Sequence, residues 1–137
     1  MKTYIIDASF ILSSLFLSKE HITRKLKTIL QEQEKREAEI YTTDYFLLEV
    51  ANGLRFSLKD ACLTLEVWDK ISLLPLKYFS FNKTHIKEIL THSYDFKTTV
   101  YDTSYHYLAK LLSGTFLTCD KNYYQNAKSW DNIELVE

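Results

Sequence analysis

The sequence predicts an α/β fold with a central, mainly parallel sheet. Short apolar runs of strand length alternate with longer segments of helical spacing. Two of those runs, Thr3 to Ile6 and Thr115 to Thr118, lead straight into the carboxylates Asp7 and Asp120. Strands that alternate with helices call for crossover connections and a sheet covered on both faces. In such sheets the carboxyl ends of the strands form the edge where ligands bind.

The first strand, Thr3 to Ile6, runs into Asp7 and the small residues Ala8 and Ser9. Ala8, Ile11, Leu12, Leu15 and Phe16 then recur at helical spacing with few charges between them, which predicts a largely buried helix. From Glu20 to about Arg36 a narrow stripe of Ile22, Leu26, Ile29 and Leu30 predicts a helix exposed on most sides. Ile40 to Thr42 is a strand. Thr43 or Asp44 is placed to cap the next helix, whose stripe is Leu47, Val50, Ala51, Leu54 and Leu58. Glu49 lies off that stripe. Gly53, inside this helix, costs about 1 kcal/mol relative to alanine and implies close packing against it. Asp60 is placed to cap a helix with Ala61, Leu65, Trp68 and Ile71 inward, ended by Pro75.

Leu76 to Phe79 is the next strand, and Asn82 opens a helix with Ile86, Ile89 and Leu90 on one side. Thr98 or Thr99 opens another, with Tyr101, Tyr105, Leu108 and Leu112 inward and Gly114 as its C-cap. After the strand ending at Thr118, a short helix covers Lys121 to about Lys128. Ile133 to Val136 is the last strand.

At 137 residues the expectation is a single domain, residues 1–137. The net charge of −1 excludes a global basic footprint for nucleic acid, though not a local patch. Two cysteines, Cys62 and Cys119, are too few for a disulfide framework and suit reduced thiols in a cytoplasmic protein. No apolar run approaches membrane-spanning length, and the N-terminus lacks a signal-peptide pattern. Most of the ten Tyr and eight Phe fall on inward stripes; Tyr123 and Tyr124, just past Asp120, are the exceptions that stacking on bases would use. Arg24, Lys25 and Lys27 form a basic cluster, and Arg55 lies near the Glu49 face.

The candidate site is Asp7, Glu49, Asp102 and Asp120. Each acid alone has a structural explanation: Asp7 and Asp120 as helix N-caps, Asp102 as part of a capping-box-like pattern with Thr99, Glu49 as an exposed helix residue. Their arrangement argues for more. Two acids end two apolar strands, and the other two sit early in helices that start from the same edge. Four crowded carboxylates must protonate or bind cations. Oxygen-only ligands suit Mg²⁺ or Mn²⁺, which can activate water and clamp a phosphodiester. His21, His85, His92 and His106 lack zinc-ligand spacing.

The segments Ile5-Ile6-Asp7-Ala8-Ser9, Leu48-Glu49-Val50-Ala51-Asn52-Gly53-Leu54-Arg55, Val100-Tyr101-Asp102-Thr103-Ser104-Tyr105 and Leu117-Thr118-Cys119-Asp120-Lys121 resemble the four acidic motifs of the PIN domain, in the family's order. The chain is similar to the small stand-alone members, the VapC-type toxin ribonucleases. The resemblance implies a three-layer α/β/α, Rossmann-like fold, an Mg²⁺ or Mn²⁺ cofactor held by Asp7, Glu49, Asp102 and Asp120, an RNA substrate, a homodimer and a cognate antitoxin. It also implies that Ser9 and Thr118 orient the acids or hold waters, with Asn122 as a further polar residue. The expected function is a metal-dependent endoribonuclease, the toxin of a type II toxin–antitoxin pair. The alternative is a non-catalytic PIN-like scaffold that binds RNA or a protein. A phospho-acceptor receiver domain is discounted: Ala8 and Ser9 follow Asp7, and no middle strand ends in Asp.

Overall fold

A computed structural model describes residues 1–16 and 19–137. In chain order the elements are β1 (Lys2–Ile6), α1 (Ala8–Phe16), α2 (Glu20–Glu34), β2 (Ala38–Thr43), α3 (Phe46–Ser57), α4 (Ala61–Ser72) and β3 (Lys77–Phe79). They continue with α5 (Lys83–Phe96), α6 (Val100–Leu111), β4 (Thr115–Thr118), α7 (Lys121–Ala127), a 3₁₀ turn (Lys128–Trp130) and β5 (Ile133–Leu135). The five strands form one sheet in the order β3-β2-β1-β4-β5, and every pairing is parallel. Right-handed crossovers place α1 to α4 on one face and α5 to α7 on the other. The packing agrees: α1 lies on α2 and α3, and α5 lies on α6, which covers β1 and β4. This is the three-layer α/β/α architecture.

The middle strand β1 does not alternate in burial over Tyr4, Ile5 and Ile6, which are all buried, as expected for a strand covered on both faces. Phe10, Ile11, Val50, Leu54, Tyr105, Leu108 and Phe116 pack around it into one core. From β1 the chain winds outward to β2 and β3, then returns to β4 and β5 on the other side. The order therefore reverses between β1 and β4, and the crevice at such a switch point is where this class of fold binds ligands.

Several local expectations hold. The Asp60 carboxylate accepts from Cys62 N at 2.9 Å and Thr99 Oγ1 from Asp102 N at 3.1 Å. Asn82 forms a capping box with His85. Gly53 stands at a close approach, as expected: a Cβ there would meet Leu12 Cδ1 at 2.3 Å, so the end of that side chain would have to shift. Others are corrected. α3 begins one or two residues later than expected, after Tyr45, and neither Thr43 nor Asp44 caps it; the Asp44 carboxylate is held by the Ser80 hydroxyl instead. The left-handed residue that closes α6 is Ser113, at φ 53°, not Gly114. Gly114 N–H completes the Schellman pattern by donating to Ala109 O at 2.8 Å. A Cβ on Gly114 would lie 2.6 Å from Thr3 O, which is why glycine stands there.

α1 is buried only at its start, since Leu15 and Phe16 are exposed. In α4 only Ile71 is buried, and Leu65 is exposed, because α4 packs chiefly on α3 rather than on the sheet. Tyr101 is 61% exposed rather than inward, since the first turn of α6 overhangs the sheet edge. No helix among the described residues is long and apolar enough to cross a membrane.

Candidate active site

Asp7 follows β1 at the switch point. Ile6 pairs with Leu117 in the adjacent strand, so the next residues, Asp7 and Thr118, come side by side. Thr118 Oγ1 donates to Asp7 Oδ2 at 2.8 Å. Asp7 Oδ1 accepts from Ser9 Oγ at 2.7 Å and from Phe10 N–H at 2.9 Å, the latter an N-cap bond. Ser9 Oγ in turn accepts from Cys119 N–H at 3.2 Å, and Thr118 Oγ1 from Asp120 N–H at 3.1 Å. Two hydroxyls thus tie the end of β4 to the Asp7 carboxylate.

Asp7 is only 5% exposed. Burial pushes its carboxyl up to about 6; the three donors oppose that rise, and the charge of Asp102 adds to it. No lysine or arginine reaches Asp7 among the salt bridges of the described residues. A nearly inaccessible carboxylate with no counter-charge is costly unless it protonates or meets a cation.

Asp102 lies in the first turn of α6 and Asp120 caps α7, with Oδ1 accepting from Tyr123 N–H at 3.0 Å. Together with Asn122, Thr99 and Lys97 they line a cleft of about 280 Å³. Glu49, in the first turn of α3, is half-buried, and Tyr105 Oη donates to its Oε1 at 2.8 Å. The acids also sense one another. Burial raises the Asp102 carboxyl, against the Thr99 hydrogen bond, and Asp120 adds to the rise. Burial likewise raises Glu49, against the Tyr105 hydrogen bond, and Asp102 adds to it. Asp102 is therefore the electrostatic neighbour common to the other three.

The structure gathers the four acids unequally. Asp102 and Asp120 share the cleft, Asp7 lies behind it on Thr118, and Glu49 stands toward Tyr105. Among the described residues, no group of three or more His, Cys, Asp or Glu side chains stands close enough together to hold a metal ion. The donor chemistry nonetheless suits a hard cation. The set is all oxygen, and Mg²⁺ keeps several waters and takes one or two carboxylates plus phosphate oxygens rather than a full protein cage. Asp120 and Glu49 each accept one hydrogen bond on a single oxygen and keep the other for a ligand, whereas Asp7 is held through both oxygens and keeps only its remaining lone pairs.

Arg55 lies in the last turn of α3, over the Phe56 ring, and does not join the cleft. Tyr123 is not a free stacking surface: it is buried, with its hydroxyl 2.9 Å from His106 Nδ1. Sequence reasoning placed Tyr105 only in the core. A buried tyrosine, unlike phenylalanine, needs a partner for its hydroxyl, and that is the signal that would have found Tyr105. The Thr43 hydroxyl, fully buried at the end of β2, has no hydrogen-bond partner among the described residues.

Comparison with known proteins supplies the family. No curated protein sequence matches the chain. Among solved structures the chain is similar to VapBC2 from Rickettsia felis bound to a promoter DNA fragment, with 14% identity, TM-score 0.69, and 98% of this chain and 99% of that one covered. It is similar to FitAcB from Neisseria gonorrhoeae at 14% identity and TM-score 0.67, covering 98% and 96%. It is also similar to VapC20 of Mycobacterium tuberculosis, a sarcin–ricin loop cleaving toxin, at 9% identity and TM-score 0.68, covering 98% and 99%. At these identities the likeness is one of fold. A model of the PIN domain matches residues 4–129, nearly the whole chain, and the chain belongs to the PIN domain family.

Proposed function

We propose that the chain is a divalent-metal-dependent endoribonuclease and the toxin of a type II toxin–antitoxin pair. The observation that carries this reading is Asp7: a buried carboxylate at the switch point, without a counter-charge among the described residues, within the field of Asp102. Such a group is unfavourable in a folding scaffold and useful in a cation site. In the proposed site Asp7, Glu49, Asp102 and Asp120 hold Mg²⁺ or Mn²⁺, which would supply an activated water and charge neutralisation at phosphorus. The side chains have separate tasks. Ser9 and Thr118 fix the Asp7 carboxylate through both oxygens. Tyr105 fixes Glu49. Thr99 fixes the first turn of α6 and hence Asp102. Lys97, on the rim of the cleft that Asp102 and Asp120 line, is placed to meet a phosphate oxygen.

An antitoxin partner is proposed from the likeness to proteins solved as VapBC and FitAcB. A homodimer is proposed on one further ground. Leu48 and Phe56 of α3 are 76% and 79% exposed, and Leu63 and Leu65 of α4 are exposed as well. These exposed apolar side chains stand on two helices that pack on each other, and exposed apolar surface is what an interface between copies would cover. A single domain in the cytoplasm completes the reading.

The test is RNA cleavage with Mg²⁺ or Mn²⁺, with EDTA and with Asp7→Asn. Cleavage that both EDTA and Asp7→Asn abolish is expected; activity that survives the two would refute the assignment. The scaffold alternative draws on one observation, that among the described residues no three acids stand at metal-holding distance. Mn²⁺ binding by calorimetry with no cleavage of varied RNAs would favour it.

A further inference from the structure

Beside the acids lies an apolar pocket of about 300 Å³, between the end of β3, the first turns of α3 and α6, and Ile86 and Ile89 of α5. Tyr45, Tyr101, Phe79 and Phe81 supply aromatic surface, Val100 adds to the lining, and Asp44 lines it as the one charged residue. Tyr45 and Tyr101 meet edge to face at 5.4 Å between centroids, and Phe79 and Phe81 lie 5.3 Å apart. The volume is at the low end of the range for small-molecule pockets (about 300–1,000 Å³), suited to one planar ring system rather than an extended ligand. The pocket is continuous with the acid cluster through the chain. Tyr101 immediately precedes Asp102, and Tyr45 stands one helical turn before Glu49.

Asp44 decides what the pocket takes. It is exposed, its Oδ2 accepts the Ser80 hydroxyl, and no cation pairs with it among the described residues. A carboxylate only accepts. A purely apolar occupant would strip its solvent and return nothing. Guanine alone among the four RNA bases carries two adjacent donors on its Watson–Crick edge, N1–H and the 2-amino group. Adenine and cytosine each pair one amino donor with a ring acceptor, and uracil sets one donor between two carbonyls. Unpaired bases in RNA are recognised by stacking on aromatic side chains together with hydrogen bonds to that edge.

We propose that this pocket seats an unpaired guanine of the RNA, next to the phosphate handled by the acids, with Asp44 reading its two edge donors. The proposal rests on the nuclease reading for its placement, but binding can be measured apart from cleavage. In EDTA, titration of the protein with the four nucleoside 5′-monophosphates, followed by NMR shifts of the residues around Tyr45 and Tyr101, should give GMP about tenfold tighter than AMP, CMP or UMP. Asp44→Asn, at an exposed position, should remove that preference, and Tyr101→Ala should weaken both purines; circular dichroism checks that the variants fold. With Mg²⁺, cleavage sites in a mixed RNA pool should cluster beside guanine for the wild type and lose that bias in Asp44→Asn. Equal binding of the four nucleotides, or a guanine bias that survives Asp44→Asn, overturns the proposal. So does binding of arginine amide in place of GMP, which would make the pocket an anchor for a basic side chain of a protein partner. GMP-selective binding without cleavage of any RNA would uphold the pocket and refute the nuclease reading alone.

Discussion

Replacing Asp7 by asparagine should make the metal-free protein more stable, not less. The native carboxyl is raised from 3.8 to about 6, so the folded state binds this proton more tightly than the unfolded chain does. For a group shifted in that sense, the contribution to stability is greatest below the unfolded value and is lost as pH rises through the native one. The loss amounts to about two pKa units, or roughly 3 kcal/mol, all of it present by pH 8. Asparagine removes the charge and keeps the geometry. Its Oδ1 still accepts from Phe10 N–H and Ser9, as Asp7 Oδ1 does now, and asparagine caps helices as well as aspartate does. Its amide faces Thr118 Oγ1, which can accept. Urea denaturation of wild type and Asp7→Asn in EDTA, from pH 4 to pH 8, should show a difference near zero at pH 4. It should grow through pH 5 and 6 to as much as 3 kcal/mol, about 10 °C in Tm for a domain of this size. A variant that is less stable at pH 8, or a difference that does not change with pH, would refute the reasoning.

Four further outcomes are expected. His106 is buried, with Nε2 on Asp131 O at 2.5 Å, so Nδ1 accepts from Tyr123 Oη; burial lowers it to about 4, and stability should fall by roughly 3 kcal/mol as pH drops from 6.5 to 4. This slope opposes that of Asp7 over the same window, so the acid limb should be shallow in wild type and steep in Asp7→Asn, as paired urea melts at pH 4 and 6.5 would show. Gly114→Ala should destabilise more than Gly53→Ala in thermal melts: its Cβ strikes backbone, Thr3 O, whereas that of Gly53 strikes the end of the Leu12 side chain, and overpacking of this kind costs about 1–3 kcal/mol. Tyr105→Phe removes the donor to Glu49; on the proposed reading the Mg²⁺ needed for half-maximal cleavage rises about tenfold or more, and the carboxyl limb of the pH–rate profile moves up.

How much of this was legible in the sequence depended on how local each determinant is. Asp60, Asn82 and Thr99 cap their helices through residues two or three positions away, and such contacts follow from sequence spacing alone. Asp44 fits the same pattern but does not cap, because Ser80, 36 residues away, takes its carboxylate. Gly114 was legible as a helix terminator. That Ser113 takes the left-handed position, and that Gly114 is needed for Thr3 O, depends on β1 lying against the α6–β4 turn. The four acids were visible as residues at strand ends and helix starts. Their supports were not equally visible: Ser9 is two residues from Asp7, but Tyr105 reaches Glu49 across 56 positions and reads in sequence as one more inward aromatic. Tyr123 misled for the same reason, since its partner His106 lies in another helix.

The cap and ligand readings of the acids therefore need not compete. An N-cap carboxylate turns one oxygen toward the first amides of its helix and leaves the other facing away from it. At the carboxyl edge of a parallel sheet, the N-termini of α1, α3, α6 and α7 all face the same side. Asp7 and Asp120 use one oxygen each for their own helices, and the Asp7 second oxygen takes only Thr118. The positive ends of those helix dipoles favour negative charge there, which partly offsets the burial, and the smaller repulsion between acids, that raise Asp7, Glu49 and Asp102. Capping by Asp7 and Asp120, with Glu49 and Asp102 in the first turns of α3 and α6, thus explains how a fold tolerates four acids at one edge, and it does so without a cation. It does not explain why Asp7 is buried without a counter-charge, because an exposed aspartate caps equally well, as Asp60 does on α4. The excess burial of Asp7 over Asp60 is the part left for function, and the stability gained by Asp7→Asn in EDTA measures it.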